Sequence, residues 1–311
     1  MPELNVHGQR LQVGQGSNLL DALQAAGLPV SWSCRAGQCQ SCLVQAKDQS
    51  VPEQAQQGLS PQQQMDGWLL ACQCPVTADM QVSLHDPLSD GLGASIETLT
   101  QLPGSIMLLR LRPHRPLRYR AGQHLTLWLT PELGRSYSLA SLPGDPLLEF
   151  HIQLQPEGAF SSRLQRAQIG EQLYLGNPCG NLCYDPAWHD RPLLLLASGT
   201  GLAPLQAVAR DALRQQHSAT IVLWHWSADG QASYLQPELE KLAATAPQLQ
   251  LRLHQQGQMH SDLRNLRPPS RTTQALLCGS ARFVDQLRRP LFMAGLAGRQ
   301  ILDEAFLSRG L

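Results

Sequence analysis

Cys34-Arg35-Ala36-Gly37-Gln38-Cys39-Gln40-Ser41-Cys42 sets three thiols at C-x4-C-x2-C spacing, and a fourth, Cys72, follows Leu70-Ala71 after an intervening segment. This is a ligand pattern of a [2Fe–2S] cluster. Two irons bridged by two sulfides need four thiolates. A loop supplies three of them at close range, and a distant residue closes the cage. Ala36, Gly37 and Ser41 are small, so the backbone can bend around the cluster and aim N–H groups at its sulfurs. A disulfide framework and a structural zinc would use the same residue type. The N-terminus has no basic stretch followed by an apolar run, so an oxidising compartment is not expected. Zinc favours paired C-x2-C knuckles, and this loop has one.

The surrounding stretch resembles a plant-type ferredoxin domain over residues 1–88. Gly67-Trp68-Leu69-Leu70-Ala71-Cys72-Gln73 matches that family's "G-x-x-L-A-C-Q" turn, and Gln40 stands where the family usually has Gly. Short strands are expected at 3–7 and 10–14. A helix from Leu19 to Ala26, capped by Ser17-Asn18, should stop at Gly27 and Pro29. Residues 42–46 resume as a strand, 49–64 read as a solvated loop with a short helical turn, and 81–84 close the sheet. Residues 86–93 have linker chemistry and mark the first domain boundary.

Composition bounds the rest. The chain has 311 residues, 42% hydrophobic and 15% charged, with zero formal net charge. Two or three ordinary globular domains are expected, with no basic field for nucleic acid or an anionic membrane. No apolar run nears the roughly 18 residues of a membrane span. A cytoplasmic monomer is the expectation. Of eight cysteines, four belong to the cluster. Cys74, Cys179 and Cys183 are expected to be free buried thiols.

Residues 94–187 read as an all-β unit, with strands at 105–112, 123–129 and 147–154. In Arg135-Ser136-Tyr137-Ser138-Leu139, alternation places Arg135, Tyr137 and Leu139 on one face and Ser136 and Ser138 on the other. An Arg for phosphate, an aromatic plane and hydroxyls suit a flavin nucleotide, although an exposed strand bearing one Tyr gives the same pattern. Gly158-Ala159-Phe160-Ser161-Ser162 opens a helix that could take a phosphate, or be a plain helix capped by Ser161 or Ser162. Together these motifs resemble the flavin-binding barrel of the ferredoxin-NAD(P) reductase family. That resemblance implies Arg135 as phosphate partner, Tyr137 packed on the isoalloxazine, Ser138 near its reactive nitrogen, and phosphate contacts at Gly158, Phe160 and Ser161. It also places His151 at the cofactor, with Gln153 where a basic residue is frequent. Asn177-Pro178-Cys179-Gly180 is similar to the family's "G-P-x-G" turn.

Residues 192–311 alternate strand and helix, as a doubly wound parallel sheet requires. The run 193–197 is wholly apolar, and Ser198-Gly199-Thr200-Gly201-Leu202-Ala203-Pro204 follows it before a helix. Glycines there let a dinucleotide pyrophosphate approach. The segment resembles the family's "G-G-T-G-x-A-P" loop, which implies Gly199, Thr200, Gly201 and Pro204 as nucleotide contacts. Cys278-Gly279 resembles the "C-G-x-P" turn beside the nicotinamide, against a plain buried strand-end thiol. Glu304-Ala305-Phe306 resembles the C-terminal "E-x-F", with Phe306 over the flavin and Glu304 near it, against an amphipathic tail. No Arg or Lys follows the second strand in His225-Trp226-Ser227-Ala228-Asp229-Gly230, so NADH rather than NADPH is expected.

The fold class expected is therefore multidomain α+β and α/β: a β-grasp ferredoxin domain, an antiparallel flavin-binding β-barrel, and a doubly wound nucleotide domain. The resemblance implies an NADH-dependent iron–sulfur flavoprotein reductase. Electrons would pass from NADH through FAD, with FMN the alternative, to a cluster on Cys34, Cys39, Cys42 and Cys72. They would then pass to a protein acceptor such as an oxygenase component. Ser138, Cys278, Glu304 and Phe306 are the expected catalytic set. A flavin or quinone reductase acting on small acceptors, and a redox-sensing module, are the alternatives.

Overall fold

In the computed structural model, residues 1–46 and 51–307 are described. Residues 49 and 50 of the glutamine-rich segment, and the last four residues of the third domain, lie outside them. The first unit holds β1 (Glu3–Val6), β2 (Gln9–Gln12), β3 (Ser17–Asn18), α1 (Leu19–Ala25), β4 (Leu43–Ala46), α2 (Glu53–Gln56), α3 (Pro61–Met65), β5 (Trp68–Leu70), β6 (Pro75–Val76) and β7 (Met80–Leu84). Its main sheet runs β2-β1-β7-β4-β5, with only β1 and β7 parallel. The last strand thus fills the centre rather than closing an edge. Asn18 caps α1 by accepting from the Asp21 N–H, and Leu19, Leu20 and Leu23 fill the core beneath the sheet.

The described part of 49–64 is not merely solvated: it forms α2 and α3, because Ala55 and Leu59 are buried anchors between glutamines that face water. The presumed linker contains α4 (Pro87–Asp90), which Asp86 caps through the Leu88 N–H and Pro87 starts at a position that needs no N–H.

The second unit has β8 (Leu92–Leu102), β9 (Ile106–Pro113), β10 (His124–Thr130), β11 (Leu133–Ser138), β12 (Leu148–Gln153), α5 (Ala159–Leu164) and β13 (Gln172–Leu175). Its strands run β11-β10-β13-β8-β9-β12, all antiparallel. The Ala140 N–H donates to the Glu149 carbonyl at 2.8 Å and draws the two sheet ends together. Gly158, not a serine, caps α5; the Ser161 hydroxyl instead accepts from the Gln155 N–H.

The third unit has β14 (Leu193–Ser198), α6 (Leu202–Arg214), β15 (Ile221–Ser227), α7 (Gln236–Thr245), β16 (Leu249–Gln255), α8 (Met259–Asn265), β17 (Gln274–Ser280), α9 (Ala281–Met293) and β18 (Ile301–Phe306). The strands are parallel in order β16-β15-β14-β17-β18. Along β14, Leu193, Leu195 and Ala197 enter one core with α6, while Leu194 and Leu196 enter another with α9. Apolar layers on both faces explain why the strand is apolar without alternation. The terminal Glu304–Phe306 segment is a paired strand rather than an amphipathic tail.

Candidate functional site

The cluster loop leaves α1 and returns into β4. Arg35, Gly37 and Gln40 all take positive φ, which wraps the chain tightly. Gln40, at φ +53°, has a buried side chain whose amide donates to the Gly58 carbonyl at 3.0 Å. The thiols associate as two pairs, Cys34 with Cys39 and Cys42 with Cys72. Among the described residues no three His, Cys, Asp or Glu converge on a single-ion site. Two-plus-two pairing is what a two-iron cluster wants, since each iron takes two thiolates.

The hydrogen bonds around the sulfurs fit that group. The Ala36 and Cys39 N–H groups donate to Cys34 Sγ at 3.3 and 3.4 Å, the Ser41 hydroxyl to Cys39 Sγ at 3.3 Å, and Gln73 to Cys72 Sγ at 3.4 Å. The Cys39 thiol beside it, reinforced by backbone N–H groups, draws the Cys34 pKa down to about 5. Cys42 and then Gln73 draw Cys72 down to about 6. Their partners move the other way: each holds its proton against the neighbouring sulfur in a buried site.

One carboxylate ties the three units together. Ser138 ends β11 and donates its hydroxyl to Glu304 Oε1 at 2.9 Å. His124, paired with Ser138 across β10 and β11, meets Glu304 Oε2 through Nδ1 at 2.9 Å and the Gln38 carbonyl through Nε2 at 3.3 Å. Both partners are acceptors, so the imidazole is held with a proton on each nitrogen. Burial opposes that charge, but Cys179 and Glu304 outweigh it and hold His124 well above its usual range. Two residues on, Thr126 donates to the Cys39 carbonyl at 3.0 Å. Cys278 is the lateral neighbour of Glu304 between β17 and β18. It is fully buried, which pushes its thiol well above the usual range.

The rest of the flavin motif lies along β11 and at the start of α5. Arg135 donates to the carbonyls of Gly134 and Trp32 at 2.6 and 3.5 Å, and no carboxylate pairs with it among the described residues. A half-buried guanidinium without a counter-ion fits a phosphate. Tyr137 packs on Phe160 with centroids 5.1 Å apart, and Ser136 is half-buried beside it. Gly158 and Ser161 stand together at the start of α5, with the Ser161 hydroxyl already engaged. His151 is turned elsewhere: its nitrogens meet the Tyr234 hydroxyl and Glu149, both at 3.0 Å, at the junction with the third unit. Cys74 and Cys183 are buried as expected, but Cys179 is only half-buried, in the turn that bridges to His124.

Gly199–Gly201 forms a single 3-10 turn between β14 and α6, and Pro204 sits in the first turn of that helix. Gly201 lies against the Cys278 backbone. His225, absent from the expected site, supports this turn. Burial lowers its pKa to about 4, so the ring is neutral, donates to the Gly199 carbonyl at 3.0 Å and accepts from Ser233 at 2.8 Å. Beyond it a cavity of about 720 Å³ opens over the carboxyl ends of the strands. Ser198, Asp229, His260, Arg264, Ser280 and Arg282 are among its lining residues. That is where an open parallel sheet reverses its strand order and takes a nucleotide. Phe306 is half-buried at the end of β18, level with Ser280.

The roles of His124, Thr126 and His225 are not legible locally, because they depend on contacts 26 to 180 residues away. The one local signal was alternation on β10, which sets His124 and Thr126 opposite Leu125 and Leu127.

The sheet, cleft and thiol loop define an oxidoreductase with iron–sulfur, flavin and pyridine-nucleotide domains. Residues 3–77 match the 2Fe-2S iron-sulfur cluster binding domain, 96–184 the oxidoreductase FAD-binding domain and 195–289 the oxidoreductase NAD-binding domain. The chain is 29% identical to the ferredoxin–NAD(P)+ reductase component of naphthalene 1,2-dioxygenase/salicylate 5-hydroxylase systems from Ralstonia sp., over 99% of this chain and 98% of that one. It is 30% identical to an aromatic O-demethylase reductase subunit from Amycolatopsis sp., over 71% of each. A solved cytochrome P450 reductase from Amycolatopsis shares its fold at a TM-score of 0.67, with 24% identity over 98% of this chain and 99% of that one. The chain belongs to the ferredoxin–NAD(P) reductase family, with an N-terminal 2Fe-2S domain. No helix among the described residues is long and apolar enough to cross a membrane.

Proposed function

We propose that this protein is the NADH-dependent reductase of a multicomponent oxygenase. Electrons enter from NADH, pass through FAD to a [2Fe–2S] cluster on Cys34, Cys39, Cys42 and Cys72, and leave to an oxygenase component. The observation that carries this reading is the chain Ser138–Glu304–His124–Gln38, which joins flavin motif, terminal strand and cluster loop through three hydrogen bonds. A bound flavin supplies the exchange between a hydride pair and single electrons. In the proposed roles, Ser138 and Glu304 hold a proton beside the flavin, while Arg135 takes its phosphate. Ser136, Tyr137, Gly158, Phe160 and Ser161 shape its bed, and His151 acts one layer behind them. Gly199, Thr200, Gly201, Pro204 and Gly279 seat the nucleotide, Cys278 lies beside the nicotinamide, and Phe306 covers the flavin. No Arg or Lys stands in Ser227-Ala228-Asp229-Gly230, where β15 ends, and this favours NADH over NADPH, while the FAD-domain match supports FAD over FMN. The domains run 1–88, 94–187 and 192–311, in a cytoplasmic monomer. Relatives that serve dioxygenases and an O-demethylase favour an oxygenase as partner.

The test is NADH-driven reduction of cytochrome c by the wild type and by Cys42→Ser. The wild type should reduce it readily with NADH and more slowly with NADPH. The variant should lose this activity while still passing electrons to ferricyanide. Equal cytochrome c reduction by the variant would mean that electrons leave from the flavin, and a small-acceptor reductase would replace this reading.

A further inference from the structure

The outer face of β10 is unusual for a barrel strand. Leu125 and Leu127 point into the barrel core, so His124, Thr126 and Trp128 point out of it. An outward face would ordinarily be wet, yet these three are 8%, 3% and 2% exposed. The ferredoxin unit covers them. His124 and Thr126 hold the successive carbonyls of Gln38 and Cys39, and Trp128 packs on His85 at 5.0 Å. On the neighbouring strand the Gly134 N–H donates to the Ser31 hydroxyl at 3.1 Å.

We infer that His124 and Thr126 are positioning residues that seat the cluster loop on the flavin barrel at Cys39 and thereby set the rate of flavin-to-cluster electron transfer. The inference rests on the proposed reductase function. With both groups bound, the step would move one electron from the flavin held by the barrel to the cluster held by Cys34, Cys39, Cys42 and Cys72. No bond to either residue forms or breaks, flavin protons leave to solvent, and the second electron of the NADH pair would cross only after the cluster has passed the first to the protein acceptor. His124 is the cross-strand neighbour of Ser138, so the rung that faces the flavin motif also grips the loop. From Thr126, one hydrogen bond reaches the backbone of a cluster ligand. Electron transfer falls steeply with distance, so a loop released from this seat should slow it without changing either redox centre.

The experiment compares wild type, Thr126→Val and Thr126→Ser as cluster-loaded holoproteins. Anaerobic stopped-flow with NADH follows flavin and cluster bleaching separately, and hydrogen exchange follows the amides of residues 34–42. Valine keeps the shape and loses the donor; serine restores it. Loss of one buried hydrogen bond should speed loop exchange about fivefold in Thr126→Val. Cluster reduction should slow about tenfold relative to flavin reduction, as expected for a sub-ångström misplacement. Thr126→Ser should restore both. A Thr126→Val protein with wild-type exchange and rate ratio overturns the inference. Should that variant lose its cluster, Thr126→Ser decides alone: a wild-type ratio supports the seat, and a slow cluster step despite the hydroxyl overturns it. A wild type whose flavin bleaches while its cluster stays oxidised overturns the reductase reading itself.

Discussion

Replacing Gly201 by Ala should cripple NADH use while sparing the cluster. The reason is close approach rather than backbone freedom. A Cβ on Gly201 would lie 2.1 Å from the Cys278 carbonyl oxygen, 2.4 Å from its carbon and 2.8 Å from the Gly279 nitrogen. All three are backbone atoms of β17, so no rotamer relieves the clash. Ordinary contact begins at 3.4 Å, and the nucleotide turn must therefore retreat by roughly 1.3 Å, the gap between those distances. Overpacking of this kind costs about 1–3 kcal/mol of stability. A misplacement near 1 Å in a binding turn can cost about a hundredfold in rate, or roughly 2.7 kcal/mol of barrier. The assay is anaerobic stopped-flow of flavin bleaching against NADH concentration, with cluster absorbance as an internal check. We expect kcat/KM for flavin reduction to fall by about two orders of magnitude with the cluster retained. Gly199→Ala is the control. Its Cβ would meet nothing within 4 Å, and only its φ of +55° is unfavourable, so the expected cost is about 1 kcal/mol. A Gly201→Ala protein that reduces its flavin at the wild-type rate would refute the contact argument.

Two further outcomes follow from single positions. Gln40→Gly should leave thermal stability nearly unchanged, because relief of a left-handed φ of about 1 kcal/mol offsets the lost bond to the Gly58 carbonyl; a large fall in Tm would mean that the side chain matters more than its hydrogen bond. Glu149 is a pH-dependent stabiliser. Burial opposes its charge, yet His151 and Arg110 hold its pKa down to about 2 from an ordinary 4.5. A depressed carboxylate stabilises above its unfolded pKa and loses that contribution as pH falls from about 4.5 toward about 2. The Tm gap between wild type and Glu149→Gln should therefore reflect on the order of 3 kcal/mol at neutral pH and shrink in acid. A gap independent of pH would contradict the assignment.

Parts of this architecture were legible because chemistry alone demands them. The C-x4-C-x2-C loop needs no fold to be read, and the apolar run over β14 admits only a strand covered on both faces. The G-T-G turn was recognisable from its place between strand and helix. What escaped was tertiary. His124 and Thr126 look like ordinary polar positions on an alternating strand, and only the ferredoxin unit laid across them makes them interior. His225 entered the reading as part of the nucleotide-specificity segment, whereas its ring holds the glycine turn from beneath. His151 carried a cofactor expectation but is turned toward Tyr234 and Glu149. Asp86-Pro87 reads in sequence as linker punctuation although the same pair is a helix start, and glutamines mask Ala55 and Leu59 as anchors of two short helices.

Coupling from NADH through flavin to the cluster is read by anaerobic titration of the holoprotein with NADH, followed by visible absorbance and EPR. We expect bleaching of the flavin band and then a rhombic signal from one reduced [2Fe–2S] centre. Flavin bleaching with no cluster signal at any NADH level would contradict that coupling.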